Sequence, residues 1–312
     1  MKSLTSTLFA LSVFLFANFM TAQELNVQSF GDKENPAVIF LHGGPGYNAV
    51  PFEIATAEDL AKEGFFVISY DRRGEGRNEH LEADFTFAQT FEDLNAIYST
   101  YNLDKARLVG HSFGGLVATY FTEKYPEKVS HLILASVPIS MQSTLKTIIK
   151  SSKAIYQEND DTANLSYIAQ LEQMDTLSYP YAAYSFMHAM ANGFYTPSQR
   201  NERAEKLYQR LRADTLAVKY ASQYGYSAPM NFWKNESYTS INLKDNLKTL
   251  KDKSVEMYGI YGKDDGLYSE AQVEDIRQIL GSSRVKYLDN CSHSVFIDRQ
   301  EEFIALLVGL KK

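Results

Sequence analysis

Apolar residues fall along this chain in short, nearly unbroken runs at residues 37–41, 65–70, 107–109, 131–134, 255–261 and 284–288. A strand with one face in water alternates apolar and polar positions, whereas an unbroken run belongs to a strand covered on both faces, as in a mostly parallel sheet. Between the runs, segments at 52–63, 91–101, 116–125, 270–280 and 301–310 carry apolar residues three and four apart, which predicts helices. Strands alternating with helices are the sequence form of βαβ units, so the expected fold class is α/β, with a mostly parallel central sheet flanked by helices. The alternation stops between residues 139 and 242, where no strand pattern occurs and 11 of the 21 tyrosines lie. The stretch 139–242 is expected to be a helical cap inserted into a core domain formed by 23–138 and 243–312. Tyrosine is amphipathic, so these residues suit packing the cap on the core, and some suit lining a cleft for an apolar or aromatic group.

The amino-terminal run is of another kind. Lys2 is the only charge in residues 1–22, an apolar run covers 8–20, and Thr21 and Ala22 follow. That is the layout of a secretory signal peptide, expected to be removed after Ala22. Its apolar run of 13 residues is shorter than the ~20 that span a bilayer. An exported protein, periplasmic or secreted and without stable membrane insertion, is therefore expected.

Composition narrows the function classes. With 45% apolar and 22% charged residues the chain is an ordinary globular one. A net charge of −7 provides no basic field for a phosphate backbone, so nucleic acid is not an expected partner. The single cysteine, Cys291, makes no internal disulfide and is read as a small buried residue. Neither a cysteine cluster nor an HExxH pattern occurs, and no metal or other cofactor is expected.

The candidate chemistry begins where residues 107–109 lead into Gly110, His111, Ser112, Phe113, Gly114 and Gly115, ahead of a helical pattern. A GxSxG between a strand and a helix makes a sharp turn that projects the serine, and glycines permit the close chain approach that turn requires. A serine hydroxyl needs a base, and the base needs an orienting acid. In the strand–turn–helix setting the chain order is serine, acid, histidine. Of the six histidines only His293 lies beyond the late acidic candidates. Those candidates are Asp264 and Asp265, both just after the run 255–261, while residues 135–140 offer no carboxylate. The glycine-rich His42, Gly43, Gly44, Pro45, Gly46 also follows a strand pattern. Backbone N–H groups of Gly44 and Phe113 are the natural pair for a developing oxyanion, with His42 structural. No Lys-Ser or Lys-Thr pair follows these glycines, which excludes a phosphate loop.

Taken together, HGGPG at 42–46, DRRGEGRN at 71–78 and GHSFGG at 110–115 resemble the α/β-hydrolase superfamily, and within it the prolyl aminopeptidase (proline iminopeptidase) family, whose second motif reads DQRGxGRS. The resemblance spans the chain after residue 22 except the cap, and implies an α/β-hydrolase fold. In these hydrolases the acid commonly ends a GxxD, which from Gly262 selects Asp265, and the turn at Cys291, Ser292 and His293 is similar to the family's histidine loop. The implied triad is Ser112, His293 and Asp265.

The expected activity is that of a serine hydrolase, first an aminopeptidase releasing N-terminal proline or a small apolar residue from short peptides. A carboxylesterase is the alternative, and a non-catalytic hydrolase-like binding protein is the alternative of another class. Relatives with an aspartate nucleophile, such as epoxide hydrolases and dehalogenases, are disfavoured by Ser112. The family's aminopeptidases bind the substrate amine through cap carboxylates with tryptophan nearby. Here Glu172, Glu236 and Trp233 are the candidate substrate-binding residues, the two acids because each lies among apolar or aromatic neighbours.

Overall fold

A computed structural model describes residues 25–221 and 225–311. The expected signal segment 1–22 lies outside the described residues, as does Tyr224 of the cap. Seven strands form one sheet: β1 (Val27–Phe30), β2 (Ala37–Leu41), β3 (Phe66–Tyr70), β4 (Ala106–His111), β5 (Val129–Ala135), β6 (Met257–Gly262) and β7 (Val285–Leu288). Their spatial order is β1-β3-β2-β4-β5-β6-β7, parallel throughout except for the antiparallel edge pair β1 and β3. Every residue of β2, β3 and β4 is buried, as the unbroken runs require. Successive side chains point to opposite faces, so Val38, Phe40 and Val67 enter one core while Ile39, Leu41 and Ile68 enter the other.

The sequence pattern passes over β1, because VQSF is four residues long and only partly buried. An edge strand covered on one side lacks the run that marks its central neighbours.

Helices cover both faces. In chain order they begin with α1 (Val50–Phe52), a π-helical turn over Glu53–Ala57 and α2 (Glu58–Lys62), followed by α3 (Phe87–Thr100) and α4 (Phe113–Lys124). Between β5 and β6 come α5 (Met141–Glu158), α6 (Thr162–Leu171), α7 (Tyr179–Ala191), α8 (Glu202–Ala213), α9 (Thr215–Ala221) and α10 (Ser227–Glu236). The core then resumes with α11 (Lys244–Asp252), α12 (Glu270–Leu280), α13 (Val295–Asp298) and α14 (Gln300–Gly309). The helical insert α5–α10 leaves the core through a narrow stem, a β-bridge between Ser140 and Asn242 with Leu243 N–H donating to Ile139 O at 2.7 Å. Leu145, Ile149, Tyr156, Ile168, Leu171 and Tyr181 give the insert an apolar cluster of its own. Among the described residues no helix is long and apolar enough to cross a membrane.

Beneath the glycine segment 42–46 the protein buries charge. Arg77, its side chain 7% exposed, lies 2.7 Å from Asp71 Oδ2 and 2.7 Å from Glu53 Oε1. Asp71 also accepts the Ala49 N–H at 2.7 Å and the Arg77 N–H at 2.8 Å, tying the entry to α1 to the turn after β3. Removing one partner of such a group leaves the others buried and unpaired, typically at a cost of about 3 to 5 kcal/mol. Arg77→Met is expected to lower the unfolding free energy by about that much, read from the urea midpoint at constant slope. A midpoint within error of the parent would show that the network carries no such load.

Candidate active site

Ser112 sits at the junction of β4 and α4 with φ +51° and ψ −124°. A non-glycine residue reaches that region only under constraint from its surroundings. The constraint is visible: Ser112 N–H donates to Ala135 O at 3.0 Å, and Gly115 N–H donates back to Ser112 O at 2.9 Å. Helix α4 starts so close to β2 that a Cβ on Gly114 would lie 2.2 Å from Leu41 O.

His293 and Asp265 arrive from the carboxyl ends of β7 and β6, the edge of a parallel sheet where ligands bind. His293 Nδ1 lies 2.8 Å from Asp265 Oδ2, and both residues are buried. A carboxylate only accepts hydrogen bonds, so Nδ1 carries the proton and the Nε2 lone pair is left for a base. The Leu267 N–H donates to the other Asp265 oxygen at 3.1 Å. The His293 ring packs edge-on against Tyr195, with centroids 5.1 Å apart, and at a tilt against His111 at 4.9 Å. His111 Nε2 is 3.0 Å from the His293 carbonyl, so the residue before Ser112 holds the backbone of the histidine loop. Burial, with His293 adding to it, pushes the His111 imidazole down to about 3 and keeps it neutral. Among the described residues Ser112 Oγ makes no hydrogen bond to His293, a contact that in ligand-free sites often tightens only in the substrate complex.

Gly44 and Phe113 supply N–H groups that donate to no protein acceptor among the described residues. Phe113 is the first residue of α4, where no intrahelical partner exists. Gly44 has φ +108°, and a Cβ there would lie 2.9 Å from Gly46 N. A Cβ on neighbouring Gly43 would lie 3.1 Å from Ser112 Cβ, which places this glycine loop against the serine. His42 is structural: its Nε2 accepts the Arg72 N–H at 3.0 Å, its Nδ1 lies 2.8 Å from Gly43 O, and burial holds its pKa well below the ordinary imidazole range.

The two adjacent aspartates differ. Asp264 turns away from His293 and accepts the Ser198 N–H at 2.8 Å and the Ser198 Oγ–H at 2.7 Å, in the segment between α7 and α8. Phe194, in the same segment, accepts Gly266 N–H at 3.1 Å and Ser292 Oγ–H at 3.0 Å through its carbonyl. The insert thus clasps both loops that present Asp265 and His293. A further carboxylate that sequence reading missed, Asp298, accepts Ser292 N–H at 2.8 Å and the Tyr208 hydroxyl of α8 at 2.7 Å. Spacing five residues after a histidine carries no recognised signal, and only the fold of α13 beneath the loop reveals this contact.

The cap candidates make their hydrogen bonds and ion pairs with other residues. Glu172 pairs with Lys153 at 2.7 Å on a half-exposed outer face of the insert, beside a groove of about 470 Å³. Glu236 Oε1 accepts the Phe87 N–H at 2.7 Å at the start of α3. Trp233 donates its indole N–H to Leu177 O at 2.8 Å and packs near Tyr179. The structure therefore gives all three partners elsewhere, and none of these contacts is with Ser112 or His293. Cys291 is buried and its thiol pKa is pushed up by burial, which suits a packing residue. Among the described residues no group of three or more histidine, cysteine or acidic side chains is placed to hold a metal ion.

Residues 36–300 match the family model described as alpha/beta hydrolase fold. A proline iminopeptidase of Lactobacillus helveticus (strain DPC 4571) is 26% identical over 282 residues, covering 88% of this chain and 89% of its own length. Among solved structures, a proline iminopeptidase of Mycobacterium smegmatis superposes with TM-score 0.61 at 16% identity, covering 91% of this chain and 92% of that one. An esterase from Exiguobacterium antarcticum superposes with TM-score 0.60 at 19% identity, covering 92% and 95%. At these identities the structural likeness establishes the fold alone.

Burial raises the Asp298 carboxyl from its ordinary value near 3.8 to about 6, and nearby Asp265 adds to that rise. A carboxyl that holds its proton more tightly when folded contributes stability that is complete below about pH 4 and lost as pH rises through about 6. The stability of the parent relative to Asp298→Asn is therefore expected to fall by about 2 to 3 kcal/mol across that window and then level off. Urea midpoints at a series of pH values check this, and a flat or rising difference contradicts it.

Proposed function

Because the chain belongs to the α/β-hydrolase fold family, we propose that it is a serine hydrolase working through an acyl-enzyme, with Ser112, His293 and Asp265 as its catalytic triad. The observation that carries this reading is the 2.8 Å contact between His293 Nδ1 and Asp265, which leaves Nε2 as the base beside the strained turn at Ser112. In the first step Ser112 Oγ attacks the substrate carbonyl carbon and its proton passes to His293 Nε2. The carbonyl electron pair moves onto oxygen, facing the N–H groups of Gly44 and Phe113. Collapse expels the amine or alcohol, which takes the proton from His293. Water, deprotonated by the same imidazole, then releases the acid and restores Ser112.

For substrate we infer an aminopeptidase acting on short peptides with N-terminal proline or a small apolar residue. The similarity, over 88% of this chain, to a protein named proline iminopeptidase supports it. So does the apolar character of the insert near α10, where Leu177, Tyr226 and Met230 stay exposed around Trp233. A second reading, carboxylesterase, draws on one specific observation: Glu172 and Glu236 are engaged elsewhere, and an ester needs no carboxylate to receive an ammonium group. The 1–22 segment supports an exported location.

Ser112→Ala and His293→Ala are each expected to lower kcat by roughly three to six orders of magnitude in a folded protein. Loss of fluorophosphonate labelling in Ser112→Ala checks the nucleophile, and a parent that never labels supports the non-catalytic alternative. Asp265→Asn is expected to cost roughly 10⁴-fold by favouring the wrong imidazole tautomer, whereas Asp264→Asn loosens only the Ser198 contact and costs far less. The opposite ranking moves the acid to Asp264.

Rates on free and N-acetylated prolyl or alanyl arylamides, compared with aryl esters, separate the two substrate readings. An aminopeptidase loses about 10²-fold or more on acetylation, the scale of a buried charge left without its partner. Equal rates, or activity on esters alone, favour the esterase.

A further inference from the structure

We infer that Arg72, held by Glu75, is a positioning residue that orients the Gly44 N–H toward the developing oxyanion. The inference rests on the serine-hydrolase reading and adds to it a part that the triad does not contain. Both side chains are buried, and Arg72 meets Glu75 fork to fork, Nε to Oε1 at 2.8 Å and Nη2 to Oε2 at 2.9 Å. The remaining donors grip the glycine loop: Nη1 donates to His42 O at 2.6 Å and Nη2 to Gly43 O at 2.6 Å. Glu75 Oε2 in turn accepts the Gly46 N–H at 2.7 Å, so the pair holds the loop on both sides of Gly44. The guanidinium carbon also lies 5.2 Å from the centroid of the Phe113 ring, on the residue that offers the second donor.

Peptide geometry turns this grip into an orientation. A trans peptide is planar, with its C=O and N–H pointing in opposite directions. Fixing Gly43 O on Arg72 therefore fixes the Gly44 N–H at the opposite edge of that planar unit, and the loop lies against Ser112 Cβ. Gly44, at φ +108°, has no side chain to restrain its own rotation. A donor aimed before substrate arrives needs no reorganisation as charge develops. Lysine cannot substitute, because a point-like ammonium lacks the planar fork that meets two carbonyls and a carboxylate together.

The test uses Arg72→Lys and the double variant Arg72→Gln with Glu75→Gln, which leaves no buried charge unpaired. Each is assayed, where circular dichroism shows it folded, with prolyl-p-nitroanilide and p-nitrophenyl acetate. Inhibition by phenyl trifluoromethyl ketone, whose serine adduct carries an oxyanion, and the rate of fluorophosphonate labelling are measured alongside. Loss of one oxyanion donor typically costs 10²- to 10³-fold, so a misaimed donor is expected to lower kcat and the labelling rate by about 10- to 100-fold with KM nearly unchanged. Inhibition by the ketone weakens by the same factor as kcat/KM, and the pH profile keeps its position because the Asp265–His293 contact is untouched.

Folded variants with labelling rate and ketone inhibition within about twofold of the parent would overturn the inference, even if their melting temperature fell. A loss confined to KM, with the ketone unaffected, would do the same. Turnover retained in Ser112→Ala would instead remove the Ser112 acyl-enzyme reading itself, so the two failures are told apart.

Discussion

The left-handed backbone of Ser112 is the constraint on which the rest of this site depends. Left to itself a serine would relax from that conformation, because its Cβ and the backbone carbonyls crowd one another. It is held by the hydrogen bond to Ala135 on the neighbouring strand and by the close seating of α4 over β2. That seating leaves the first N–H of the helix unpaired beside the serine. His111, the residue before Ser112, also meets the carbonyl of His293, so the turn that projects the candidate nucleophile contacts the loop of the candidate base. Strain and donor thus meet at one place, the tight β4–α4 corner.

Around that corner the protein buries an unusual amount of charge. The Arg77–Asp71–Glu53 network and the Arg72–Glu75 pair are built from the segment 71–77, with Glu53 joining from the π-helical turn, and the Arg72–Glu75 pair holds the loop 42–46. Buried ion pairs are weak evidence for stability, since desolvation offsets much of their attraction. Their value here is directional. Backbone carbonyls and N–H groups of a glycine loop have many orientations available, and a planar guanidinium with fixed donors selects one. An apolar layer of equal volume would fill the space without choosing an orientation for the loop above it.

The insert does more than cover the sheet edge. Its segment 194–198 holds Asp264, Gly266 and Ser292, and Tyr208 of α8 reaches Asp298 beneath the histidine loop. The loops carrying Asp265 and His293 are thus braced by the insert, whose Tyr195 also packs on the His293 ring.

Much of this was legible in the sequence. The unbroken apolar runs determined the central strands, because burial on both faces leaves no room for polar alternation. The loss of that rhythm marked the insert, and GxSxG, HGGPG and the late histidine marked the corner residues, since each motif encodes a local backbone requirement. The half-exposed strand β1 went unread because a short edge strand carries too little pattern. What only the tertiary structure decided were the partners of charged side chains. Glu172 and Glu236 looked available in sequence and are engaged by Lys153 and the start of α3. Arg72 and Glu75, read in sequence only as part of the motif at 71–78, and Asp298, which no motif marked, lie buried against the loops of the site. A hydrophobic pattern reports local burial, whereas the partner of a charge is set by elements that meet only when the chain is folded; Asp264, beside the candidate acid, is bound to a segment 66 residues away.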